Sequence, residues 1–249
     1  VLKSFANGSL FGATWGPSGP AEVLALHGWR RSHEDFAPAF ASGPVSVVAL
    51  DLPGFGATPP PDSGWGSEEY ARALLELIGE PGVMAERFTV VGHSFGGRVA
   101  IRLAGLAPDR VGRLVLTGVP LLDREGRRKK PATGFRLARK LHSFGLVGDR
   151  RMEELRQQHG SPDYRAATGT MRATFVKILA ESYAAELANI AAPVDLLWGE
   201  GDTEVPLEVA TRSEAMFPDA ALVTLPGVGH LTPTEAPEAL RQLVVGGRP

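Results

Sequence analysis

Apolar residues in this chain gather in short continuous runs separated by stretches with helical spacing. "EVLALHG" (22–28), "VSVVALD" (45–51), "FTVVG" (88–92), "RLVLTG" (113–118), "PVDLLWG" (193–199) and "AALVTLPG" (220–227) are each long enough for a strand and too short for a helix. Between them, "SEEYARALLELIGE" (67–80) sets apolar residues at 70, 74, 77 and 78, one face of a helix. Helices are also predicted from about residue 33, where Ser32 and Asp35 resemble a capping box, over 96–107 and over 234–245. Strands without polar alternation that alternate with helices predict an α/β fold. Its central sheet is mostly parallel and covered by helices on both faces.

The rhythm breaks at Pro120. From there to Ile190 no strand pattern occurs, and helical spacing takes over; "FRLARKLHSFG", for example, sets Leu137, Leu141 and Phe144 on one face. A stretch of about 70 residues is too long for a loop. The expectation is a core domain of residues 1–119 and 191–249 with a helical insertion over 120–190.

One strand-to-helix junction carries a reactive group. In "VVGHSFGGRVA" (90–100) a serine stands at the bend, with glycine two residues to either side. A turn that projects a side chain above the sheet edge strains the backbone and brings strand and helix so close that only small residues fit at those flanks. Ser94 is then either a nucleophile or no more than a helix cap. A nucleophilic serine needs a base, and the base needs an orienting acid. His230, in "PGVGH" after the last strand, and Asp202, in "WGEGDTEVP" after the strand before it, meet those needs. Glu200, Glu204 and Asp123 are the alternative acids. The order Ser94, Asp202, His230, each after its own strand, is the order this arrangement requires. Oxyanion donors are expected from the backbone N–H groups of Phe95, at the helix start, and Trp29, in "LHGW". His27 is expected to brace that loop, and His33, His142 and His159 to lie on the surface.

Composition narrows the partners. The net charge is −2 and the chain has no cysteine, which excludes disulfides and thiolate chemistry and gives no reason to expect nucleic acid. His33, His142 and His159 have no metal-ligand spacing to one another, and hydrolysis on such a triad needs neither a metal nor an organic cofactor. No apolar run is long enough to span a membrane. The opening stretch lacks a basic region followed by an unbroken apolar run, and a cytoplasmic location is the expectation. Residues 121–160 carry eleven Lys/Arg against five Asp/Glu, read as a solvated helical face rather than a lid that attracts anions.

With these residues in view, the chain resembles the α/β-hydrolase superfamily: "HGW", "DLPGFG", "GHSFGG", "WGEGD" and "GVGH" match its landmarks from residue 27 to 230. The resemblance implies that 120–190 is the cap roofing the active site. Leu121, Leu137, Phe144, Leu146 and Phe175 are its candidate pocket lining. It implies hydrolysis of small or medium carboxylic esters through an acyl-enzyme. The alternatives are C–C, lactone or amide hydrolysis or perhydrolysis on the same triad, and a ligand sensor on the same fold. Two positions depart from the common pattern. Arg30 stands where many relatives have glycine or a small residue. His93 precedes the serine as in many esterases, where the C–C hydrolases of aromatic ring-cleavage pathways more often have Asn.

Overall fold

The apolar runs pair into one sheet in the computed structural model, which describes residues 1–122, 142, 148, 150–154 and 161–247. Its strands are β1 (Leu2–Phe5), β2 (Leu10–Trp15), β3 (Ala21–Leu26), β4 (Val47–Asp51), β5 (Met84–His93), β6 (Val111–Thr117), β7 (Val194–Gly199) and β8 (Ala220–Leu225). They lie in the order β1-β2-β4-β3-β5-β6-β7-β8. β1–β2 and β2–β4 are antiparallel, and every pair from β4 through β8 is parallel. The fold is the expected α/β architecture.

Strand residues feed two cores by alternation. Leu24, Leu26, Val90, Leu114, Leu116 and Leu196 pack on one face, beneath α2 (Ser67–Gly79) and α3 (Phe95–Leu106). Val23, Ala25, Val91, Val115 and Leu197 face the other way, toward Phe36, Phe40, Leu240 and Leu243. Because successive side chains point to opposite faces, a strand covered on both sides must be apolar at every position.

Three local expectations are corrected. The N-terminal hairpin β1–β2 lies outside the strands read from the sequence; its turn is Asn7-Gly8, both at positive φ (50° and 87°), a local turn signal. The helix expected near residue 33 is a 3₁₀ turn, His33–Phe36, running into a single turn, α1 (Ala37–Phe40). Ser32 does cap it, accepting from the Glu34 N–H at 3.4 Å, but Asp35 turns instead to the Arg31 guanidinium, two contacts of 2.6 Å. The last helix is two, α8 (Thr232–Glu235) and α9 (Pro237–Gly246), because Pro237 forces Ala236 out of helical geometry (φ −137°, ψ 53°).

Between β6 and β7 the described residues form α4 (Pro162–Ala166), α5 (Gly169–Ala180) and α6 (Ala184–Leu187); α7 (Leu207–Glu214) follows β7. The inserted helices are tied to the sheet domain by directed contacts. The Trp65 N–H donates to Thr174 Oγ1 at 2.9 Å, and the Ser67 N–H to Glu181 Oε1 at 2.9 Å. Lys177 pairs with Glu69, and Arg102 with Glu186. These tethers set α5 over the carboxyl ends of the parallel strands, where open α/β sheets gather their ligand-binding loops.

Candidate active site

Ser94 sits between the last residue of β5 and the first of α3, with φ 48° and ψ −109°. Left-handed backbone at a non-glycine residue costs about 1–3 kcal/mol and persists only where its surroundings impose it. Here they do. The Ser94 N–H donates to the Thr117 carbonyl at 2.8 Å. A methyl group at Gly96 would lie 2.1 Å from the Leu26 carbonyl oxygen, and one at Gly92 would lie 2.6 Å from the Gly97 Cα. The flanking glycines are therefore demanded by close approach of β3, β5 and α3. The Ser94 side chain makes no capping bond to α3. The residue lines a cavity instead.

His230 and Asp202 come together as expected. His230 Nδ1 is 2.8 Å from Asp202 Oδ2. The other carboxylate oxygen accepts the N–H groups of Glu204 (2.9 Å) and Val205 (2.8 Å), which fix the plane of the buried acid. Gly118, at φ 58°, follows β6 beside the imidazole; a methyl group there would come within 2.8 Å of His230 Cε1. Ser94 and His230 line the same cavity, of about 630 Å³, and the rings of His93 and His230 are 5.0 Å apart. No hydrogen bond joins Ser94 to His230 among the described residues. His230 Nε2 instead lies 3.5 Å from the exposed Glu204 carboxylate, so Glu204, an alternative acid in the sequence, meets the opposite edge of the ring from Asp202.

The loop after β3 is held by His27. Its Nε2 accepts the Leu52 N–H at 2.9 Å, which leaves Nδ1 to donate to the Gly28 carbonyl at 2.7 Å. Burial pulls the His27 pKa down to about 4, and that of His93 to about 3, so both rings are neutral near pH 7. Beyond Gly28, Trp29 donates its backbone N–H to no protein group among the described residues, and Phe95 opens α3, where no helical acceptor exists. Arg30 follows at φ 58°, backbone that glycine adopts without strain. Its side chain reaches Asp163 of α4 at 3.3 Å.

The lining expectations divide. Phe175 reaches the cavity from α5, its ring 5.0 Å from Trp29. Leu121 does not: it is buried in the main core, and its neighbour Pro120 lines the cavity instead. Leu137, Phe144 and Leu146 lie outside the described residues, as do Asp123 and His159. His33 is no surface residue; its backbone N–H and Nδ1 both contact Asp51 Oδ1 at 2.8 Å. Arg98, absent from the sequence reading, also lines the cavity. Among the described residues, no group of three or more His, Cys, Asp or Glu side chains is placed to hold a metal, and no helix is long and apolar enough to cross a membrane.

The sequence model of the Alpha/beta hydrolase family matches residues 23–243. The chain belongs to this family. It is 30% identical over 262 residues to a 2-hydroxy-6-oxononadienedioate/2-hydroxy-6-oxononatrienedioate hydrolase of Cupriavidus pinatubonensis, covering 92% of this chain and 86% of that relative. A Pseudomonas protein of the same description is 28% identical over 273 residues, covering 98% of this chain and 93% of that relative. Among solved structures, a thermophilic esterase from Thermogutta terrifontis superposes with a TM-score of 0.70 at 21% identity, covering 98% of this chain and 96% of the other. A meta-cleavage product hydrolase from Pseudomonas fluorescens IP01 superposes with a TM-score of 0.66 at 21% identity, over 99% and 96%. The chain is a hydrolase-fold enzyme, and its relatives include both hydrolases of 2-hydroxy-6-oxo-dienedioates and, among structures, an esterase.

Proposed function

We propose that the chain is a serine hydrolase that cleaves a bond beside an activated carbonyl through an acyl-enzyme on Ser94. The observation that carries this reading is the buried Asp202 carboxylate, fixed by two backbone N–H groups and held 2.8 Å from His230, beside a strained serine that caps no helix. As Ser94 Oγ bonds to the carbonyl carbon, its proton passes to His230 Nε2, and Asp202 stabilises the resulting imidazolium. The Trp29 and Phe95 N–H groups receive the oxyanion. The intermediate collapses, the leaving group takes the proton from His230, and a water deprotonated by the same ring releases the acid. Substrate binding turns the imidazole from Glu204 toward Ser94, since catalytic hydrogen bonds often tighten only in the complex.

For the bond cleaved, the relatives favour carbon–carbon hydrolysis beside the ketone of a conjugated keto acid. Such a bond breaks only if the departing carbon can hold its electron pair, which a second carbonyl in conjugation provides as an enolate. His93 supports a second reading, ester hydrolysis, because it stands where the resemblance assigns Asn to C–C hydrolases. Turnover of a 2-hydroxy-6-oxo-dienoic acid beside 4-nitrophenyl esters of rising acyl length separates the two. The first reading expects the keto acid to lead in kcat/KM by about 10-fold or more, a margin typical of site-level discrimination. The reverse order makes the protein an esterase. Turnover that survives Ser94→Ala overturns both.

A further inference from the structure

Arg98 lies one turn into α3, its backbone N–H 3.4 Å from the Ser94 carbonyl, and the residue lines the same cavity as Ser94 and His230. The residue is only 9% exposed. A guanidinium stays charged at every pH a protein survives, and a buried charge without a counter-charge is costly. Yet Arg98 has no carboxylate partner among the described residues. Its Nη1 donates to the Ile178 carbonyl at 2.5 Å, and the guanidinium lies 5.5 Å from the centre of the Tyr183 ring.

Among the described residues, acids of the cavity and of the segments beside it are engaged elsewhere. Glu181 accepts from the Ser67 N–H and the Tyr183 hydroxyl. Glu186 pairs with Arg102, Asp163 with Arg30, Asp35 with Arg31, and Glu204 faces His230. One carbonyl uses a single N–H of a group that has five. Arg98 and Ile178 both line the cavity that holds Ser94, and the other N–H groups of the fork bond to no described residue.

Resting on the serine-hydrolase reading, the geometry points to Arg98 as the residue that binds a substrate carboxylate, so that the enzyme selects carbonyl compounds carrying an anionic group a short distance from the bond cleaved. A carboxylate meets the guanidinium by charge-assisted, often bidentate, hydrogen bonds and supplies the counter-charge that no described residue gives it. Arg98 is thereby a specificity residue and takes no part in bond making.

The test compares 4-nitrophenyl hemiglutarate with its methyl ester, which differs only in lacking the charge, in wild type, Arg98→Met and Arg98→Lys of verified fold. Wild type is expected to prefer the anion. The anion-to-neutral ratio of kcat/KM should fall about 10- to 100-fold in Arg98→Met, the scale of a lost charged hydrogen bond, and less in Arg98→Lys. A wild-type preference for the neutral ester, or an equal fall on both as a purely structural strut would give, overturns the assignment and leaves Ser94 untouched. If neither ester turns over, monomethyl glutarate is titrated into Ser94→Ala by calorimetry. Binding that is lost in the Ser94→Ala, Arg98→Met double variant supports the assignment, and no binding at millimolar concentration overturns it. Ester turnover that persists in Ser94→Ala counts against the serine-hydrolase reading instead.

Discussion

His230 is held between two carboxylates that are not equivalent: Asp202, buried and 2.8 Å from Nδ1, and Glu204, exposed and 3.5 Å from Nε2. Only Asp202 has its second oxygen locked by backbone donors. It sets the tautomer that leaves Nε2 free to accept a proton, while Glu204 shares that edge with the incoming hydroxyl.

Asp202→Asn is therefore expected to lower kcat by about 10⁴-fold, the loss seen when the imidazole adopts the wrong tautomer. Glu204→Gln should cost less than about 10-fold, as expected for an exposed charge. Steady-state kinetics of the two variants on one substrate checks this. A larger loss from Glu204→Gln would exchange their roles.

Gly96→Ala places a methyl carbon 2.1 Å from a backbone oxygen that has no flexible end to yield. Overpacking of this kind costs about 1–3 kcal/mol or more. Urea unfolding of Gly96→Ala should show a midpoint lowered accordingly, with Gly105→Ala, whose added methyl meets nothing, near wild type. Equal midpoints would mean that α3 shifts freely at the elbow.

His27 and His93 give stability a pH dependence of defined sign. Burial holds their folded pKa values at about 4 and about 3, below the ordinary 6.5. Between those limits the unfolded chain binds more protons than the native one, so stability falls as pH falls. Their contribution is complete above about pH 6.5 and is lost progressively toward pH 4. Thermal unfolding from pH 4 to 8 should show a declining Tm on the acid side, with a shallower decline in His93→Asn. An unchanged slope would contradict the burial argument for His93.

The strands and the elbow were legible in the sequence because their constraints are local. A strand buried on both faces shows as an unbroken apolar run, and close backbone approach around Ser94 leaves Gly92 and Gly96 as its mark. Asp202 and His230 were legible through their place after successive strands. The Asn7-Gly8 turn is equally local, but β1 before it is largely exposed and carries no apolar run to mark a strand. Leu121 shows the limit of hydrophobicity, which says that a residue is buried without saying against what; it packs in the main core. Arg98 was invisible for the opposite reason: an arginine on a helix looks like a surface residue until the fold buries it beside Ile178 and Tyr183.

The most direct measurement is the site of covalent labelling by a fluorophosphonate, which reports serine nucleophilicity whichever bond the natural substrate offers. Peptide mass mapping should find one phosphonyl adduct on Ser94 in the wild-type protein, none in Ser94→Ala, and labelling slowed by about 10³-fold or more in His230→Ala, the scale of a lost triad base. An unlabelled Ser94 in folded wild-type protein, or labelling as fast in His230→Ala, would contradict the assignment of Ser94 as a nucleophile activated by His230.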